Sequence, residues 1–69
     1  MEEICKQFAK KLKELRLDKK LNKSKLSELA GLDISYIGKI ERCEKCPNLR
    51  TIAKLAQALN VPVKNLFDF

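Results

Sequence analysis

The sequence has no histidine among its 69 residues, and it contains only two glycines and two prolines. Without histidine the chain lacks both the most common general base and the most common zinc ligand. It also has no glycine-rich phosphate loop and no paired nucleophile and base. The residues therefore predict that the protein is not an enzyme, and they indicate no cofactor, no metal and no small-molecule substrate.

Long apolar runs are missing as well. No stretch approaches the roughly 20 residues that cross a bilayer, and no apolar signal-peptide core follows Met1. The three cysteines (Cys5, Cys43 and Cys46) are an odd number, which argues against the disulfide framework of a secreted protein. We therefore expect a cytoplasmic protein with no membrane partner.

The scarcity of glycine and proline leaves long stretches rich in Leu, Lys, Glu and Ala, which are good helix formers. No run of alternating β-branched residues interrupts them, so we predict one all-α domain over residues 1–69. Apolar periodicity predicts five helices: Glu2 to about Lys19, one beginning after Asn22, about Ile34 to Arg42, Leu49 to Leu59, and a short one beginning near Pro62 or Val63. Their predicted inward-facing residues include Ile4, Phe8, Leu12, Leu15, Leu26, Leu29, Ile37, Ile40, Leu49, Ile52, Leu55 and Leu59.

The segment Asn22–Arg42 contains two of these helices, which meet at a tight turn around Gly31. Glycine can adopt the positive φ that such a corner needs, and Asn22 and Asp33 are suitable N-caps for the two helices. This geometry fits a packed helical hairpin and a DNA reader equally well. Two features favour the reader: lysines at a helix start suit a phosphate, and the net charge of +6 suits a polyanion.

The wider series of residues is more specific. Leu26-Ser-Glu-Leu-Ala-Gly31 precedes Ser35-Tyr-Ile-Gly-Lys-Ile-Glu-Arg42, and Pro47-Asn-Leu49 and Leu66-Phe67 follow. From about Phe8 to Phe67 the chain resembles the Cro/C1-type (XRE-family) helix-turn-helix proteins, whose DNA-binding domains are compact, lambda-repressor-like five-helix bundles. The resemblance implies a sequence-specific, double-stranded-DNA-binding transcriptional regulator, most simply a repressor, with helix 34–42 in the major groove.

The resemblance also implies roles for individual residues. The implied base-reading residues are Ile34, Ser35 and Lys39. The implied phosphate contacts are Asn22, Lys23, Tyr36, Arg42, Lys45 and Asn48, and Arg16 and Glu41 resemble a partly buried structural ion pair. Lys23 stands where the family often has Gln, and Ile34 could contact a thymine methyl or serve as core. Lys20 and Cys43 stand at turn positions where the family usually has Gly, which predicts strained backbone there.

Two questions stay open from the sequence. A regulator of this kind implies a homodimer, and the predicted contact residues are Val61, Val63, Leu66, Phe67 and Phe69. Leu66 and Phe67 serve equally well to close the core of the monomer, because that core is small. The alternative functions are an antitoxin-like or accessory protein-interaction module, and a redox-responsive or metal-responsive regulator that uses Cys43 and Cys46. Against the latter, cysteines can simply be small hydrophobic residues.

Overall fold

The computed structural model describes residues 3–69, and they form four α-helices followed by a 3₁₀ helix. The α-helices are α1 (Glu3–Asp18), α2 (Lys23–Ala30), α3 (Ile34–Glu41) and α4 (Leu49–Leu59), and the 3₁₀ helix is Val63–Phe67. The all-α prediction is confirmed, and among the described residues there is no strand. Glu2, predicted as the first helical residue, lies outside the described residues.

The fifth predicted helix is a 3₁₀ helix, so the domain has four α-helices rather than five. The segment is only five residues long and begins after Pro62, where no side-chain cap is present. Its backbone forms the shorter 3₁₀ type of bond, with the N–H of Asn65 donating to the carbonyl of Pro62 at 3.0 Å. Five residues without a cap are too few to sustain a regular α-helix.

The starts of the other helices follow from their capping residues. The side-chain oxygen of Asn22 accepts from the N–H of Lys25 at 2.7 Å, and that of Asn48 accepts from the N–H of Thr51 at 2.8 Å. Gly31 ends α2 with a φ of +68°, and Asn60 ends α4 with a φ of +57°. These left-handed residues turn the chain back toward the core.

The hydrophobic core lies between the helices and draws on all of them. Its fully buried side chains are Leu12, Leu26, Ile37, Ile40, Leu55, Leu59 and Leu66. The predictions for Ile4, Leu29 and Leu49 were wrong, because these side chains are 52%, 50% and 83% exposed. On α1 the buried stripe is rotated to include Cys5, Ala9 and Arg16, while Leu49 lies at the first residue of α4, before the core begins. Among residues 3–69, no helix has the length and apolar character needed to cross a membrane.

A buried ion pair joins α1 to α3. The Arg16 guanidinium donates from Nε to Glu41 Oε2 at 2.7 Å and from Nη2 to Glu41 Oε1 at 3.1 Å. Its Nη1 donates to the carbonyl of Leu21 at 2.9 Å. The two side chains are only 8% and 3% exposed. The pair therefore fixes the end of α3 against α1 and against the turn that leads into α2.

Both non-glycine turn positions adopt left-handed backbone. Lys20 has a φ of +59° and Cys43 a φ of +62°. A side chain in this region clashes with its own backbone at a cost of about 1–2 kcal/mol, which glycine avoids. The predicted strain is therefore present at both turns.

The cysteines depart from the sequence-based interpretation. Cys5 and Cys46 form a disulfide with a Cα–Cα distance of 5.8 Å, so neither is simply a small hydrophobic residue, and Cys43 remains a free thiol. A pairing of Cys43 with Cys46 is therefore wrong for this structure. The reason is tertiary: α1 packs so that residue 5 lies beside the segment that follows α3.

Candidate nucleic-acid interface

The exposed face of α3 is small and polar at its centre. Ile37 and Ile40 are buried, which directs Ser35 and Lys39 to the opposite, solvent-facing side. Ile34 is 49% exposed and is not part of the core cluster. The three residues predicted to read bases are thus brought together on one accessible helix surface, and the core alternative for Ile34 does not apply.

The start of α3 carries the negative charge of Asp33, which caps the helix and also binds the Ser35 side chain. Asp33 Oδ1 accepts from the Ser35 N–H at 2.8 Å and from the Ser35 hydroxyl at 2.6 Å. These hydrogen bonds from the Ser35 side chain and backbone, with a smaller contribution from the charge of Lys39, lower the pKa of Asp33. The carboxylate therefore stays ionised and fixes the Ser35 side chain, whose oxygen can still accept a hydrogen bond from a base.

The end of α3 carries a second feature that was not predicted. Arg42 Nε donates to Glu44 Oε2 at 2.7 Å, and both side chains are about half exposed. The hydrogen bond from Arg42, followed by the charges of Arg42 and Lys39, lowers the pKa of Glu44. The same bond raises the pKa of Arg42. The predicted phosphate ligand is thus already paired with a carboxylate.

Gly38 explains the position of that arginine. A Cβ atom at residue 38 would lie 2.8 Å from Nη1 of Arg42, so the guanidinium lies over the glycine on the surface of α3. The absence of a side chain at Gly38 therefore makes room for Arg42 beside the predicted base-reading residues.

The start of α2 presents a second group of polar atoms. Asn22 is exposed and Lys23 is half-buried. Capping uses only the acceptor oxygen of Asn22, so its amide N–H₂ group can still donate. Lys25 forms an exposed pair with Glu28 at 3.7 Å, which is a weak interaction. The free N–H groups at this helix start, with Lys23 beside them, form a suitable anion-binding position.

The segment between α3 and α4 contributes the remaining predicted phosphate contacts. Lys45 and Asn48 are exposed, whereas Tyr36 on α3 is half-buried and packs against the core. The oxygen of Asn48 is engaged in capping α4. Arg42, Lys45 and Asn48 thus follow α3 in the chain with exposed side chains, whereas Tyr36 lies on α3 itself.

The predicted dimer residues fall into two groups. Leu66 is fully buried and belongs to the monomer core, and Val61 is half-buried against it. Val63 and Phe69 are 44% and 53% exposed, and Phe67 is 36% exposed while its ring lies 5.3 Å from that of Phe8. Only the second group offers surface to another molecule. Leu66 has no exposed surface to contribute to a dimer.

Sequence reasoning missed Cys5 and Glu44. The disulfide of Cys5 was not predicted, because 41 residues separate it from its partner Cys46. Glu44 lies two residues after Arg42, a spacing that does not bring side chains together on a helix. The left-handed turn at Cys43 was the available signal, because it reverses the chain and returns residue 44 toward residue 42.

Comparisons with known proteins bear on the family and the fold of the chain. A family model described as Helix-turn-helix (HTH_3) matches residues 12–66. The HTH-type transcriptional regulator SutR of Escherichia coli (strain K12) is 37% identical over 62 residues, which is 90% of this chain but 35% of that regulator. The control protein C.SmaI of Serratia marcescens is 37% identical over 59 residues, covering 86% of this chain and 70% of that protein.

A solved structure is similar over nearly its whole length. The crystal structure of the restriction-modification controller protein C.AhdI from Aeromonas hydrophila matches with a TM-score of 0.89 and 41% sequence identity. The match covers 91% of this chain and 96% of that one. This chain thus spans about a third of SutR but almost all of C.AhdI.

Proposed function

The chain belongs to the Cro/C1-type helix-turn-helix family, and from that premise we propose that it binds double-stranded DNA sequence-specifically and regulates transcription. The observation that supports the proposal is the accessible face of α3, on which Ile34, Ser35 and Lys39 are all exposed. A regulator of this kind acts in the cytoplasm, and repression is its simplest output, by occupying promoter DNA.

Base reading in this proposal relies on α3 in the major groove. Lys39 can donate to O6 and N7 of guanine, and the exposed side chain of Ile34 can contact a thymine methyl group. Ser35 offers an acceptor oxygen to an exocyclic amino group. Because lysine lacks the forked donors of arginine and Ile34 has no polar atom, direct reading is modest. Phosphate contacts and DNA shape therefore supply much of the affinity.

The proposed phosphate contacts lie at the start of α2, on α3 and in the segment that follows α3. Asn22 and Lys23 lie at the start of α2, where the helix dipole favours an anion. Arg42, Lys45 and Asn48 follow α3, and the Tyr36 hydroxyl can donate from the helix itself. In a dimer, the three cations Lys23, Arg42 and Lys45 would be used twice. About six neutralised phosphates predict a loss of about 10³-fold in affinity between 50 and 200 mM salt.

The test compares two lysine variants with a matched control. Preferred sites are selected from random duplexes, and binding to selected and random DNA is measured by fluorescence anisotropy. Lys39→Ala should relax base preference, whereas Lys23→Ala should weaken binding to all sequences and flatten the salt slope by about one for each subunit bound. Lys10→Ala removes the same charge from α1, in a groove beside Asp68 and Phe69, and should leave both quantities nearly unchanged.

The same titration separates DNA binding from an accessory protein-interaction role. A protein-interaction module would show weak duplex binding with no sequence preference and no difference between Lys39→Ala and Lys10→Ala. Identical effects of Lys39→Ala and Lys23→Ala on binding to selected and random DNA would show that Lys39 does not read bases.

We also propose that the protein acts as a homodimer through its exposed apolar surface. Val63, Phe67 and Phe69 lie there, next to an open groove of about 250 Å³ lined by Ile4 and Leu49 among others. Solvent-exposed apolar surface of this kind favours association. Light scattering distinguishes a 7.9 kDa monomer from a dimer of twice that mass. A monomer at high micromolar concentration would contradict the dimer.

A narrower role is supported by similarity to controller proteins. The chain is 41% identical to the restriction-modification controller protein C.AhdI, with a TM-score of 0.89, and 37% identical to the control protein C.SmaI. We therefore propose a controller of restriction-modification genes as the more specific function. Selected binding sites that lie upstream of neighbouring methyltransferase or endonuclease genes would support it. Selected sites found only at unrelated promoters would contradict this narrower role and support only the general role in transcriptional regulation.

A further inference from the structure

Cys43 and Cys46, from the segment after α3, meet the distant Cys5 where α1 begins. Cys5 is 4% exposed and is bonded to Cys46, which lies 41 residues away in the exposed segment between α3 and α4. The Cys43 thiol, half-buried, donates to the carbonyl oxygen of Cys5 at 3.9 Å. The sulfur atoms of Cys43 and Cys46 therefore both contact Cys5, in the first turns of α1.

The disulfide bonds the middle of the segment 43–48 covalently to α1. Its start is held by the N–H groups of Glu44 and Lys45, which donate to the Lys39 carbonyl at 2.8 and 3.3 Å. Its end is held by the cap at Asn48. Within residues 3–69, Cys46 and Pro47 take part in no backbone–backbone hydrogen bond. Between the two ends, the bond to Cys5 is the covalent attachment of the segment, and Pro47 is half-buried beside it.

From this arrangement we propose that Cys5 and Cys46 form a reversible thiol–disulfide site that adjusts the affinity for DNA. The proposal rests on the proposed function, because Lys45 and Asn48 on either side of Cys46 are assigned there to phosphate contacts. The disulfide fixes the chain between these two residues, and with it their spacing, before DNA arrives. The reduced protein must order them on binding, which lowers its affinity.

The chemistry requires an oxidant, and a low-molecular-weight disulfide such as glutathione disulfide suffices. The exposed Cys46 thiolate attacks one sulfur of that disulfide, whose S–S bond breaks and releases one small thiolate. The Cys5 thiolate then attacks the Cys46 sulfur of the mixed disulfide and releases the second small thiolate. The two protein thiols lose two electrons and two protons, which end on two small thiols. Excess small thiol reverses both steps.

Exposure decides which sulfur reacts first. Cys46 is exposed and open to a small disulfide or thiol, whereas Cys5 is buried. Attack through Cys46 therefore leaves Cys5 as the resolving thiol from inside the domain. Cys43 lies outside the bonded pair, and Cys43→Ser provides a control that removes a thiol from the same segment while leaving the disulfide in place.

The experiment uses the full chain equilibrated in glutathione buffers from reducing to oxidising. Free thiols are counted by alkylation and mass spectrometry, and binding to selected and random duplexes is measured by anisotropy at fixed salt. We expect one free thiol in the oxidised protein and three in the reduced protein. The reduced protein should bind DNA about 3- to 10-fold more weakly. Cys43→Ser should keep this difference, and Cys46→Ser should bind like the reduced protein in every buffer.

The outcomes separate the two proposals. Three free thiols under oxidising conditions would overturn the disulfide site. One free thiol with unchanged DNA affinity would overturn its regulatory role and leave DNA binding intact. A thiol count that switches in a protein that binds no duplex in either state would refute the proposed function, and the regulation with it. A redox response that survives in Cys46→Ser would also overturn the assignment.

Discussion

Glu41→Gln tests how much of the stability depends on the ion pair that joins α1 to α3. The substitution preserves the size of the side chain but leaves the Arg16 guanidinium, 8% exposed, without its anionic partner. Breaking a buried pair from one side costs about 3–5 kcal/mol. A domain of 69 residues has a total unfolding free energy of only about 3–10 kcal/mol. The variant should therefore lose a large share of its stability or unfold outright.

The assay is urea denaturation followed by circular dichroism, with reductant present so that the cysteines are in one state. With a slope of about 1 kcal/mol per molar urea, the midpoint should fall by about 3 M or more. Glu14→Gln provides the matched control, because it makes the same change on the exposed face of α1. Its midpoint should change by less than about 0.5 M.

The decisive measurement is the double variant Arg16→Met/Glu41→Leu. Replacing both members of a buried pair with apolar residues is often neutral or stabilising. Here the Leu21 carbonyl also loses the donor from Arg16 Nη1, which offsets part of that gain by about 1 kcal/mol. The double variant should therefore be more stable than Glu41→Gln. If the effects of Arg16→Met and Glu41→Leu, each measured alone, simply add in the double variant, the two side chains are not coupled and the reasoning is refuted.

Three further predictions concern the turns and the segment 43–48. Under oxidising conditions Cys46→Ser should lower the unfolding free energy by about 4 kcal/mol, because its disulfide closes a loop of 41 residues; in reductant the loss should vanish in the same urea assay. Lys20→Gly should stabilise by about 0.5–1 kcal/mol by relieving left-handed backbone, whereas Lys19→Gly should destabilise; thermal unfolding of both decides. Glu44→Gln should strengthen DNA binding about two- to fivefold at low salt by releasing Arg42, with Glu14→Gln as the control and a weaker effect in high salt. Arg42 lowers the pKa of Glu44, so the Glu44 carboxylate loses its charge only as the pH falls through that lowered value. The gain in DNA affinity from Glu44→Gln should therefore be constant between about pH 6 and 8.

The helix starts could be predicted because capping is local. Asn22, Asp33 and Asn48 each bond to an N–H group two or three residues later, and such bonds depend on neighbours in sequence. The positive φ at Lys20 and Cys43 was predicted from the family resemblance, because the family usually has glycine at these two turn positions. The exposure of Ser35 and Lys39 followed from the spacing of Ile37 and Ile40, which fixes the opposite face of α3.

The buried stripe of α1 was predicted less well, because the burial of Cys5 and Arg16 depends on partners that are distant in sequence. Cys5 and Arg16 are buried, one by its disulfide and the other by its pair with Glu41, while Ile4 is half exposed. A count of apolar residues alone places Ile4 inside. The rotation of the stripe is set by partners that lie 25 and 41 residues away, and periodicity carries no information about them.

The two ends of the proposed interface differ in how firmly they are held, and this difference limits what redox chemistry can change. α3 is fixed by the buried Ile37 and Ile40 and by the pair between Arg16 and Glu41, none of which involves a cysteine. The segment 43–48 is attached at its middle through Cys46. Reduction should therefore weaken the phosphate contacts of Lys45 and Asn48 while Ser35 and Lys39 keep their positions. Phosphate contacts carry affinity without sequence information, whereas base contacts carry specificity. Oxidised and reduced protein should thus select the same DNA sequence with different affinity, and a changed base preference would place the flexibility in α3 itself.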